Sequence, residues 1–119
     1  MEDQEAILFQ LVTALQEGLG ERLVAVVLYG SRARDQAREP SDWDLFIIAT
    51  ELPAQPWERH ILLKRFLPAA YRGAVSLLAK TPQEFKENIS SLYLDLAQDG
   101  QIIFDPQGYA TGVWQLCSA

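Results

Sequence analysis

Apolar residues recur along this chain with two different periods, and the changes of period divide it into elements. From Gln4 to Gln16, Ile7, Leu8, Leu11, Val12 and Leu15 fall at helical spacing, and Gly18 and Gly20 predict the end of that helix. Leu23 to Tyr29 is an unbroken apolar run rich in β-branched residues, which predicts a strand covered on both faces. Gly30-Ser31 breaks it. A polar stretch from Arg32 to Ser41 leads to a second predicted strand, Asp44 to Ala49. Pro53 and Pro56 mark a turn before a helix predicted from Trp57 to about Ala70, and a third strand over Ala74 to Ala79 follows Gly73. Thr81-Pro82-Gln83-Glu84 is a helix start: Thr caps, Pro suits the first turn, and Glu reaches back across three residues. That helix is expected to run to Gln98, with a break near Asn88, and to stop at Gly100. Gln101 to Phe104 makes a short last strand, after which Asp105-Pro106 can cap a final short helix carrying Trp114 and Leu116. Strands alternating with helices predict a small α/β or α+β sheet domain.

Composition narrows the picture. The 119 residues fit one domain, 1–119, and 49% hydrophobic content is enough to bury a core. No apolar stretch approaches the ~20 residues of a membrane-spanning helix. Glu2, Asp3 and Glu5 stand where a secretory signal would be basic, so a cytoplasmic protein is the expectation. The single cysteine, Cys117, excludes an internal disulfide and cannot alone make a thiolate metal site. A net charge of −6 argues against a polynucleotide partner, because phosphate contacts dominate nucleic-acid affinity. A small nucleotide stays compatible, since metal ions offset local carboxylate charge.

The chemistry concentrates in Leu28-Tyr29-Gly30-Ser31-Arg32-Ala33-Arg34 and Ser41-Asp42-Trp43-Asp44-Leu45. Side chains two apart on a strand share a face, so Asp42 and Asp44 project together while Trp43 points away. Two adjacent like charges need neutralising, and hard oxygen ligands suit magnesium or manganese. Gly30 leaves room for close approach at the end of a buried strand, Ser31 offers a hydroxyl, and the turn's N–H groups can face phosphate oxygens. Arg34 can add charge-assisted hydrogen bonds to the same phosphates. Each element has an ordinary counterpart: a Gly-Ser turn, a solvated Asp-x-Asp edge, arginines decorating a polar loop. Their combination on adjacent segments is what metal-assisted phosphoryl or nucleotidyl transfer requires.

Gly30-Ser31-Arg32-Ala33-Arg34, the ten residues between Ser31 and Asp42, and Ser41-Asp42-Trp43-Asp44-Leu45 resemble the signature of minimal nucleotidyltransferases. These are the smallest members of the DNA polymerase beta superfamily. The resemblance runs from about Leu23 to Asp105 and takes in Thr81-Pro82-Gln83-Glu84-Phe85. It implies a mixed sheet flanked by helices, NTP phosphates held by Gly30 and Ser31, and two divalent metals on Asp42 and Asp44. It also implies transfer of a nucleoside monophosphate, with ATP as donor. The acceptor by resemblance is a helical HEPN-type protein, in a toxin–antitoxin pair where the nucleotidyltransferase adenylylates a tyrosine or neutralises its partner by binding alone. An acceptor protein or a second copy of the chain is expected to supply the acceptor-holding surface that larger relatives carry on an extra domain.

Two positions depart from the pattern. Asp35 stands where many relatives have glycine. Ser76 stands where complete members carry a third Asp, and serine is neither a carboxylate ligand nor a base at neutral pH. A weakened enzyme, an inactive nucleotide-binding relative and a site completed from elsewhere all remain open, with Asp95 and Asp99 the nearest later acids. Among the other residues, His60 is expected on a helix surface, and Trp57, Phe66, Phe85 and Tyr93 in the core or at its margin. Lys64-Arg65 is expected as a solvated patch and Lys80 at an exposed strand end.

Overall fold

The computed structural model describes residues 4–29, 43–87 and 100–111. Helix α1 spans Gln4–Leu19, strand β1 Leu23–Tyr29, β2 Trp43–Ala49, helix α2 Pro56–Phe66, β3 Val75–Lys80, α3 Pro82–Glu87 and β4 Gln101–Phe104. The strands form one mixed sheet in the order β3-β2-β1-β4, so the two most apolar runs of the sequence are its central strands. β1 pairs antiparallel with β2 and with β4, whereas β2 and β3 run parallel and are joined through α2, as a parallel crossover requires. The expected mixed sheet flanked by helices is what the chain adopts.

Helices α1 and α2 cover one face. Leu8, Leu11, Val12, Leu15 and Leu19 of α1 and Leu63 of α2 pack on Val26, Leu28, Trp43, Leu45 and Ile47 of the sheet. The other face holds a smaller cluster, in which Phe85 of α3 and Ala110 pack on Ala25, Val27, Phe46 and Ile48. Phe46, Phe85 and Tyr109 make an aromatic row there, with ring centroids 5.6 and 6.3 Å apart, and the Tyr109 hydroxyl donates to the Pro82 carbonyl at 2.9 Å.

The observed bounds differ from the sequence expectation where tertiary contacts intervene. α1 runs through Gly18 and stops at Gly20, whose φ is +59°. Gly18 serves packing instead: a Cβ there would lie 2.3 Å from the Phe66 ring. α2 ends at Phe66 rather than near Ala70, because Pro68 forces Leu67 into an extended conformation, and a 3₁₀ segment, Ala69–Ala74, follows. Trp57, expected in the core or at its margin, is 62% exposed, since the buried stripe of α2 runs through Arg59 and Leu63. Lys64 is not a simple solvated residue either; its ammonium donates to the carbonyls of Arg72 and Val75.

The Thr81–Glu84 capping box forms as the sequence predicts: the Glu84 N–H donates to Thr81 Oγ1 at 3.2 Å and the Thr81 N–H to Glu84 Oε1 at 2.9 Å. The expected continuation of this helix to Gln98 lies beyond the described residues. Asp105 does cap a following helical turn, accepting from the N–H groups of Ala110 and Thr111 at 3.2 and 3.0 Å. Trp114 and Leu116 lie outside the described residues.

Candidate active site

Asp44 sits near the start of the central strand β2, with Tyr29 of β1 opposite it on one side and Ser76 of β3 beside it on the other. The alternation of β2 puts Trp43 into the core under α1 and α2, so Asp44 faces the side of Phe46 and Ile48. Tyr29, Asp44 and Ser76 thus form a half-buried polar row across three strands, at the edge of the smaller cluster. Burial, and after it the negative charge of Asp44, raises the Tyr29 hydroxyl above its usual pKa, which keeps the phenol protonated beside the carboxylate. Both cross-strand neighbours of Asp44 are therefore neutral oxygen-bearing side chains. Together they make a set of hard donors of the kind that divalent cations prefer.

In sequence, Gly30-Ser31, the pair expected to hold phosphate, follows directly after Tyr29, the residue opposite Asp44. Gly30, Ser31, Arg34 and Asp42 themselves lie outside the described residues, as do Asp95 and Asp99. Ser76, which stands where the resemblance expects a third carboxylate, pairs in register with Asp44. His60 is exposed, as expected. Among the described residues no group of three or more His, Cys, Asp or Glu side chains could hold a metal ion, and no helix is long and apolar enough to cross a membrane.

Sequence reasoning overlooked two features. Tyr29 was legible only as part of a strand, although its place immediately before Gly30 was a usable signal. The other is Arg59, which is 7% exposed and reaches across 25 residues to Glu84. Its Nη1 and Nη2 donate to the two Glu84 oxygens at 2.8 and 3.0 Å, its Nε to the Pro53 carbonyl at 2.5 Å, and Nη1 also to the Ala79 carbonyl at 3.1 Å. Hydrogen bonds from Arg59 and then from the Thr81 N–H hold the Glu84 carboxyl down at about 2. The guanidinium thereby fastens α2 to β3 and to the start of α3. With Lys64 on the Val75 carbonyl, it also covers part of the outer edge of β3.

Residues 11–105 match the family described as polymerase beta, nucleotidyltransferase. An inferred protein adenylyltransferase of Methanocaldococcus jannaschii is 29% identical over 107 residues, covering 87% of this chain and 73% of that protein. Among solved structures, a toxin–antitoxin complex with AMP-PNP contains a chain that superposes with a TM-score of 0.64 at 17% identity, over 98% of this chain and 88% of that one. A complex of tri-AMPylated Shewanella oneidensis HEPN toxin with MNT antitoxin gives 0.59 at 15% identity, over 98% and 87%. At those identities the superpositions speak for the fold, and the family match spans most of the sequence. The chain belongs to the polymerase beta nucleotidyltransferase family.

Proposed function

We propose that this protein transfers AMP from ATP to a hydroxyl of a HEPN-type partner protein, through a site built from Gly30, Ser31, Arg34, Asp42 and Asp44. The observation that carries this reading is the placement of Asp44 between Tyr29 and Ser76, one residue from the strand end that leads into Gly30-Ser31. The name of the archaeal relative and the AMP-PNP and AMPylated-toxin complexes among the fold neighbours support ATP as donor and a HEPN-type protein as acceptor.

Asp42 and Asp44 would hold magnesium or manganese, whose positive charge, when bound, offsets that of the triphosphate. The Gly30 turn and Ser31 hold the phosphates, and Arg34 adds charge-assisted bonds to them. The acceptor oxygen attacks the α-phosphorus, the bond from that phosphorus to the bridging oxygen breaks, and pyrophosphate leaves. Tyr29, neutral and half-buried, stands opposite Asp44 and adds no charge beside its carboxylate. Ser76 takes no proton from the acceptor at neutral pH, so that proton goes to solvent.

Ser76 also favours a second reading, a subunit that masks its partner and turns over slowly or not at all. Incubation with alpha-labelled ATP, magnesium and the HEPN-type partner separates the two, with Asp42→Asn/Asp44→Asn in parallel. Label on the partner that vanishes in the double variant supports transfer. A stable complex that never acquires label leaves masking as the function.

A further inference from the structure

The described surface of α2 is unusual for a helix whose inner stripe is already satisfied. Arg59 and Leu63 face inward, while Trp57, Ile61 and Arg65, four residues apart along the opposite stripe, face out. Trp57 is 62% and Ile61 50% exposed, so the outward stripe carries two large apolar side chains followed by a cation. Beside it, between α2 and β3, lies a cleft of about 330 Å³ whose walls include Trp57, His60, Leu63, Leu77 and Lys80. Residues 56–80 carry Arg59, Lys64, Arg65, Arg72 and Lys80 but a single acid, Glu58, in a chain whose net charge is −6. Glu84, from outside this segment, offsets the buried Arg59, and Lys64, Arg65, Arg72 and Lys80 against Glu58 still leave the segment net basic on an acidic protein.

We infer that the outer face of α2 and the adjoining cleft bind an acidic protein segment that presents an apolar side chain to Trp57 and Ile61, and that this is how an acceptor protein is held. The second half of this statement rests on the proposed function; the first does not. Exposed tryptophan next to cations is the composition of an interaction hot spot, with the aromatic ring supplying area and the charges supplying steering. A polynucleotide fits less well. Arg59 is already committed to Glu84, and Lys64 and Arg72 to backbone carbonyls, which leaves too few cations for the many phosphate contacts that such binding needs. The position also suits an acceptor: Lys80 and Ser76 are four residues apart on β3, about 13 Å at ~3.3 Å per residue. A protein gripped at the cleft leaves the Asp44 row uncovered yet lies within a side chain and a loop of it.

The test is fluorescence anisotropy of a labelled acidic helical peptide, glutamates with a stripe of leucines, titrated with the intact chain. Saturable, salt-sensitive binding is expected, weakened about tenfold or more by Trp57→Ala/Ile61→Ala and about threefold to tenfold by Arg65→Glu. Melting temperature and magnesium-ATP affinity should not change in these variants. Asp44→Asn should bind the peptide like the parent, so a failed transfer reaction and a failed docking surface give different results. Equal peptide affinity in parent and variants overturns the inference. So does equal binding of an all-glutamate peptide or a single-stranded oligonucleotide of the same charge. Self-association of the parent that is lost in Trp57→Ala/Ile61→Ala, without peptide binding, overturns it too and makes a second copy the occupant.

Discussion

Beneath α1 and α2, the sheet presents Val26, Leu28, Trp43, Leu45 and Ile47, and five apolar residues of α1 close over them. On the opposite face, the cluster of Ala25, Val27, Phe46, Ile48 and Phe85 is smaller, and toward the Gly30 end it gives way to Tyr29, Asp44 and Ser76. The same strands build both faces, since each alternates its side chains. One face has enough cover to fix the fold without polar groups. The other carries the half-buried carboxylate of Asp44 at the edge of its apolar cluster. Among the described residues, the half-buried carboxylate of Asp44 thus stands on the face with the smaller apolar cluster, opposite the face that α1 and α2 cover.

Substitutions on each face test that division. Asp44→Asn should abolish label transfer to the partner, a loss of at least about 100-fold, or ~3 kcal/mol or more of transition-state stabilisation. The melting temperature should hold or rise; a large fall would mean that Asp44 is structural. On the covered face, Leu45→Ala should cost about 3 kcal/mol in urea denaturation, with magnesium-ATP affinity unchanged at temperatures where the variant is folded. Gly18→Ala drives a methyl into the Phe66 ring, and about 2 kcal/mol of destabilisation is expected. Combining it with Phe66→Leu should recover part of that loss, and strict additivity in this double-mutant cycle would rule out the steric explanation.

Ser76→Asp sharpens the comparison from the other side. Placed beside Asp44, a new carboxylate should lower the melting temperature without metal and enlarge the shift on adding magnesium. If the missing third acid limits turnover, transfer rises about tenfold, or ~1.4 kcal/mol; a flat rate points to masking. The smallest effect concerns Glu84. Its carboxyl lies at about 2 in the folded chain against an ordinary 4.5, so its contribution is complete above pH 4.5 and disappears as pH falls from there toward 2. Glu84→Gln should cost about 1 kcal/mol at pH 7, because its side chain is 37% exposed and solvent screens the pair. The difference from the parent should shrink over that acid window, as urea midpoints at several pH values will report.

Much of this architecture is legible in the sequence. β1 and β4 have the bounds the sequence predicts, Leu23–Tyr29 and Gln101–Phe104, because short runs rich in β-branched residues and ended by Gly or Pro favour strands. Thr81 and Glu84 announced their reciprocal bonds because a capping box is closed by residues three apart. Asp44 and Trp43 were assigned to opposite faces by alternation alone, and the burial of Trp43 bears that out. The exposure of Trp57 was not foreseeable: composition says only that tryptophan is usually covered, and the stripe of α2 turned inward was chosen by Arg59 and its distant partner.

The sequence by itself determined the local elements, the pairing of Asp42 with Asp44 as a candidate ligand set, and the family, since these depend on spacing between near neighbours. Tertiary structure alone decided that Tyr29 and Ser76 flank Asp44, because strand order and register are set by how the two apolar faces are covered. It alone decided that Gly18 receives a ring and that Arg59 lies buried against Glu84. Contacts between residues far apart in sequence are selected by the packing of the whole chain, and no local pattern encodes them.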